Sequence, residues 1–108
     1  MTRIAVIGAS GFVGSAVVDA VREARHEVLA VRAPRILDDP STHGTAVELL
    51  SAQLAGCDVV VNCAGNPDAS AAHEGDLRAA NAVLPGVIGQ AAQQAAVARY
   101  VHVSSAVV

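Results

Sequence analysis

A chain of 108 residues, 53% hydrophobic and 16% charged, has room for one globular domain. Its net charge of −3, with the arginines in no basic run, argues against a nucleic-acid partner. No segment approaches a membrane span, and Arg3 leads into a strand rather than a signal peptide, so the cytoplasm is the expected compartment.

Phe12 and Tyr100 are the only aromatic residues, so Val, Ala, Leu and Ile must build the core. The first element is Ile4-Ala5-Val6-Ile7, an apolar run that reads as a strand buried on both faces. It enters Gly8-Ala9-Ser10-Gly11-Phe12-Val13-Gly14. Each glycine has a physical task in a phosphate-binding turn. Gly8 allows a sharp turn off the strand. Gly11, without a Cβ, lets a pyrophosphate reach the backbone. Gly14 lets the next helix pack closely on the sheet. That helix then aims its N–H groups and positive dipole end at the phosphates.

Phe12, Val13, Ala16, Val17, Ala20, Val21 and Ala24 recur at helical spacing and predict an amphipathic helix of about four turns. Val28 to Arg32 reads as a second strand, completing a βαβ unit. Pro34 prevents its continuation, and Asp38 to Gly44 reads as a surface loop. Thr45 to Glu48 is read as a short third strand, and Leu49 to Leu54 as a short helix ending at Gly56.

Asp58 to Cys63 predicts a fourth strand, with Ala64-Gly65-Asn66-Pro67 as the turn at its carboxyl end. Ligands of open α/β sheets lie at such ends. A long helix is expected from about Asp76 to Ala96. Pro85 lacks an N–H and leaves the Asn81 carbonyl free, so a kink is expected there. Arg99 to Val103 closes the pattern as a fifth strand, before Ser104-Ser105-Ala106. Cys57 and Cys63 lack metal-ligand spacing and read as reduced thiols. His73 and His102 read as a loop residue and a packed strand residue. No metal site is expected.

The fold class is therefore α/β: an open parallel Rossmann-type sheet of about five strands, order 3-2-1-4-5, with helices on both faces. The glycine turn, Asn62-Cys63-Ala64-Gly65 and Tyr100-Val101-His102-Val103-Ser104-Ser105-Ala106 together resemble one family. It is the short-chain dehydrogenase/reductase family, in its extended, NAD(P)-dependent epimerase/dehydratase-like branch. The resemblance spans residues 1–108 as a cofactor-binding domain.

The resemblance implies that Gly8, Ser10, Gly11, Phe12, Val13 and Gly14 hold the cofactor pyrophosphate. It places Arg32 at the adenosine ribose, with Arg35 close behind, and lays Ala64 and Gly65 along the cofactor. Ser105, with Ser104 the weaker match, would bond the substrate oxygen. The Asn81 carbonyl would hold a water of the proton relay. The family's aspartate after the third strand has no match, Glu48 being the nearest acid.

The chain contains no lysine, and Tyr100 precedes the serines, so the family's Tyr-x-x-x-Lys pair is missing. The chain then reads as truncated before that pair and inactive alone. NADP(H) is the preferred cofactor, because arginine rather than an acid ends the second strand; NAD(H) is the alternative. The implied activity is a redox step on a small molecule or sugar nucleotide, once the rest of the enzyme is present. The other reading is a nucleotide-sensing or interaction module without turnover. Self-association through the free sheet edge is also expected.

Overall fold

A computed structural model describes residues 2–34, 40–64 and 83–103. In chain order these form β1 (Arg3–Ile7), α1 (Phe12–Glu23), β2 (Glu27–Val31), a 3-10 turn (Pro40–Thr42), α2 (His43–Leu54), β3 (Val59–Asn62), α3 (Leu84–Gln94) and β4 (Arg99–His102). The strands make one parallel sheet in the order β2-β1-β3-β4. The α/β class and open parallel sheet are as expected, with four strands among the described residues rather than five.

The missing strand is the expected third one. Thr45 to Glu48 lies inside α2, which starts at His43 rather than Leu49. The buried residues Val47, Leu50 and Leu54 explain why. They recur at three- and four-residue intervals, and only a helix turns all three inward. The helix stops before Gly56, whose φ of +84° is a left-handed conformation suited to glycine. The expected loop over 38–44 likewise gives way, from Pro40 on, to the turn and the first residues of α2.

Strand alternation divides the core into two faces. Ala5, Ile7, Val31 and Val60 pack with Val47, Leu50 and Leu54 of α2 and Val87, Ile88 and Ala91 of α3. Val6 points the opposite way, toward the side covered by α1, where Gly14 and Val18 are buried. The expected stripe of α1 is displaced. Phe12 is 93% exposed, and Ala16 and Ala20 are exposed too, while the inward face runs through Gly14, Val18 and the half-buried Val17 and Val21. Gly14 sets this orientation, because it alone can lie against the glycine turn.

At the amino end of the sheet, the Arg3 N–H donates to Asp58 Oδ2 at 2.8 Å, and Arg3 pairs with Glu27 at 3.4 Å. These partly exposed contacts are worth little individually. They tie β1, β2 and the approach to β3 together at the end remote from the glycine turn.

Candidate functional site

The carboxyl ends of β1, β2 and β3 converge on the glycine turn. Gly8 leaves β1 with φ +78°, a strained conformation for any L side chain. Its N–H donates to the Val31 carbonyl at 3.2 Å, fixing the turn to the end of β2. A Cβ on Gly8 would also lie 2.9 Å from the Ala64 nitrogen, so the turn after β3 sits directly against it. The Gly11 N–H donates to the Gly8 carbonyl at 3.1 Å, closing the loop.

Gly14 is required by the protein itself. A Cβ there would stand 1.9 Å from the Gly8 carbonyl oxygen. Gly11 is different. Among the described residues, a Cβ there would meet only the Gly8 carbonyl oxygen, at an ordinary 3.5 Å. The described residues do not demand glycine at position 11; a ligand lying on the loop would. Gly11 also caps α1 without a side chain. The leading N–H groups of a helix lack intrahelical partners. Those of Phe12 and Val13 therefore stand at the open start of α1, and both side chains are exposed.

Arg32 follows β2 and is exposed. It borders an open cavity of about 510 Å³, with Pro34, Ala46, Leu49 and Leu50 as apolar walls and Ser41, Thr42, Thr45 and Gln53 as polar ones. That volume falls in the range of small-molecule sites. Glu48 is an exposed residue of α2 and does not end a strand, so it does not reproduce the acid expected after a third strand.

A part-buried polar chain, not singled out in the sequence, supports the Ala64 turn; His102, expected as a packed strand residue, is its exposed end. Asn62 is fully buried. Its Oδ1 accepts from the Ala64 N–H at 2.9 Å. Its Nδ2 lies 3.2 Å from His102 Nδ1 and donates to the Tyr100 hydroxyl at 3.4 Å. Tyr100 in turn donates to the Pro85 carbonyl at 3.2 Å, and its ring lies over Gly89. Burial pushes the Tyr100 phenol up from its ordinary range, partly opposed by the Asn62 bond. The signal for this chain was a lone amide ending a Val-Val-Val run. Burial also raises both thiols: Cys63 by that cause alone, and Cys57 with Arg3 opposing and Asp58 and Glu27 assisting. Both cysteines are free.

Residues 4–108 match the family model for the NAD dependent epimerase/dehydratase family. The chain belongs to that family. No curated protein matches it. Among solved structures it is similar to MoeE5 in complex with UDP-glucose and NAD, at 24% identity and TM-score 0.76, covering 96% of this chain and 36% of that one. A short-chain dehydrogenase/reductase superfamily protein from Agrobacterium tumefaciens with bound NAD aligns at 26% identity and TM-score 0.72, over 95% of this chain and 32% of that one. A mutant uronate dehydrogenase from the same organism, complexed with NAD, aligns at 19% and 0.71, over 97% and 41%. The chain thus spans 32–41% of the length of these family neighbours.

Of the residues expected at a family site, the structure brings Gly8, Ser10, Gly11, Phe12, Val13, Gly14, Arg32 and Ala64 to one end of the sheet. Arg35, Gly65, Asn81 and Ser105 lie outside the described residues, as do His73 and Ser104. The expected kink at Asn81 lies there too. Pro85 itself lies in the first turn of α3, a position that suits its fixed φ.

Proposed function

We propose that this chain is the dinucleotide-binding part of an NAD(P)(H)-dependent enzyme of the family, acting on a small molecule or sugar nucleotide. The observation that carries this is Gly11: the one glycine of the turn that packing among the described residues does not require, at the mouth of a helix. A pyrophosphate lying across Gly11 would receive the leading N–H groups of α1, with Ser10 and Val13 beside it. Arg32 and its cavity stand where the adenosine half would extend. NAD in the neighbours supports a dinucleotide. The finer preference, NADP(H) over NAD(H), rests on Arg32 alone.

A bound dinucleotide would supply the hydride acceptor or donor. The chain's own residues would bind and orient it: the glycine turn on the phosphates, Arg32 on the ribose, Ala64 and Gly65 along its length. Ser105 would bond the substrate oxygen, and the Asn81 carbonyl would hold a relay water. One observation favours the reading without turnover. The sequence has no lysine, and its single tyrosine commits its hydroxyl to the Pro85 carbonyl. Burial holds the Tyr100 phenol above its ordinary range despite the Asn62 bond, the reverse of what proton transfer at neutral pH requires.

The test is fluorescence titration of the chain with NADH, beside Gly11→Ala. Saturable binding in the wild type, lost in a folded Gly11→Ala, is expected. Equal binding by both proteins would remove the glycine turn from the site. Nicotinamide oxidation with carbonyl compounds is expected to be absent, and steady turnover would overturn the assignment of roles.

A further inference from the structure

The hydrogen-bond ladder of the sheet gives way at the Ala64 turn. The Cys63 N–H still donates to the Ile7 carbonyl at 2.9 Å, and the Val103 N–H donates to the Asn62 carbonyl at 3.0 Å. The next N–H of the chain, that of Ala64, donates instead to a side chain, Asn62 Oδ1, at 2.9 Å. A backbone N–H can only donate, so the amide oxygen of Asn62 faces Ala64 and the amide nitrogen faces β4. There Nδ2 meets the Tyr100 hydroxyl at 3.4 Å and His102 Nδ1 at 3.2 Å. The two ends of one amide serve two different elements.

Asn62 is fully buried at the end of a Val-Val-Val run. Burying an amide costs desolvation that a fourth valine would avoid, and the bonds it makes return only modest net stability. What the amide does and valine could not do is fix the backbone of the turn. That turn lies directly against the glycine turn. A Cβ on Gly8 would stand 2.9 Å from the Ala64 nitrogen and 3.0 Å from its Cα. The Oδ1 bond therefore sets the spacing between the turns that leave β1 and β3.

We propose that Asn62 is a positioning residue for the cofactor: through Oδ1 it holds the Ala64 turn against Gly8, while its nitrogen serves the fold by tying β3 to β4. It acts through the Ala64 backbone and takes no part in the chemistry. The two tasks use different atoms, so substitutions can separate them.

The test measures hydrogen exchange of the Ala64 amide by NMR in the chain without cofactor. Val60, fully buried in β3, is the reference for opening of the whole sheet. Asn62→Leu removes both ends of the amide, so exchange at Ala64 should rise more than at Val60. Asn62→Asp keeps an acceptor oxygen toward Ala64 in either protonation state, so the two amides should change together. Tyr100→Phe removes a bond on the nitrogen side only, and again the two should change together. An Ala64 amide that follows Val60 in Asn62→Leu overturns the proposal. If Asn62→Leu does not fold, Asn62→Asp decides: exchange rising more at Ala64 than at Val60 there overturns it.

The consequence for affinity rests on the cofactor reading above. NADH should bind Asn62→Leu about fivefold more weakly than Asn62→Asp, roughly the value of one net hydrogen bond. Equal binding by the two would remove Asn62 from cofactor positioning. Absence of NADH binding to the wild type would remove the cofactor reading, while the Ala64 amide still decides whether Asn62 holds the turn.

Discussion

A side chain on Gly14 would place its Cβ 1.9 Å from the carbonyl oxygen of Gly8. That distance makes the second half of the glycine turn a structural requirement of β1 and α1. Gly14→Ala must push α1 off the sheet, and overpacking of this severity costs about 3 kcal/mol or more. Gly11→Ala meets only an ordinary contact among the described residues and should unfold within about 1 kcal/mol of the wild type. Urea denaturation of both variants checks this. Similar losses in the two would contradict the division of roles between the glycines.

Two helices end on side chains held in left-handed backbone. Arg25 follows α1 with φ +63°, and Ala96 follows α3 with φ +58°. Both ends carry the paired hydrogen bonds of a Schellman motif; at α3 the Ala96 N–H meets the Gln93 carbonyl and the Val97 N–H meets that of Ala92. Left-handed backbone costs a residue with a Cβ about 1–2 kcal/mol, partly offset by the extra chain entropy glycine loses. Ala96→Gly should therefore stabilise the fold by about 0.5–1 kcal/mol, a rise of about 3–5 °C in Tm. Calorimetry that finds no rise, or a fall, would count against this cap.

The strands were legible because Ile4–Ile7, Val28–Val31 and Val59–Val61 are short runs of strand-forming residues between turn signals. Thr45 to Glu48 misled because four residues cannot separate a strand from a piece of helix. The period appears only when Val47 is set beside Leu50 and Leu54. The inward face of α1 was misplaced for another reason. Alanine and glycine carry almost no hydropathy signal, and a close approach at Gly14 decided the orientation. The glycine turn was legible as a local motif. The Asn62 chain was not, since it joins residues 38 and 40 positions apart. No local pattern encodes such a pairing.

Alkaline pH should weaken the fold. Cys57, Cys63 and Tyr100 all have folded-state pKa values raised chiefly by burial. A raised value means that the unfolded chain loses these protons first. The stability they contribute is complete below the ordinary thiol value of 9.0 and is lost as pH rises through the higher folded values. Tm measured at pH 7.5 and at about pH 10 should fall, and thiol alkylation at neutral pH should be slow in the folded chain. A Tm that holds steady, with rapid alkylation, would place the thiols in a wetter setting.

The outer side of β4 should self-associate. Among the described residues β4 pairs with β3 alone, and Val101 and Val103 are 40% and 38% exposed beside it. Such an edge offers backbone groups and apolar surface to a second chain. Sedimentation should show the average mass rising with concentration, and Val101→Lys should suppress the rise. A monomer at every concentration would show that this edge is protected.

Cofactor preference is expected to turn on Arg32. A site selecting NAD usually ends its second strand with an acid, which accepts from the ribose hydroxyls and repels a 2′-phosphate. Here the acid of β2 is Glu27, at the wrong end of the strand and paired with Arg3. Arg32 stands at the right end, beside the cavity and one residue past the Val31 carbonyl that anchors Gly8. A guanidinium meets a phosphate through paired, charge-assisted bonds. Such a bond contributes roughly 1.5–3 kcal/mol when sheltered, and exposure and salt pull it toward the lower figure. The expected outcome is about tenfold tighter binding of NADPH than NADH at low salt. Arg32→Ala should bring the two affinities together, and raising the ionic strength should narrow the gap in the wild type. NAD in the neighbouring structures marks the opposite outcome. Equal or reversed affinities in the wild type would take the 2′-phosphate role from Arg32. A tenfold preference that survives Arg32→Ala would move that role to Arg35.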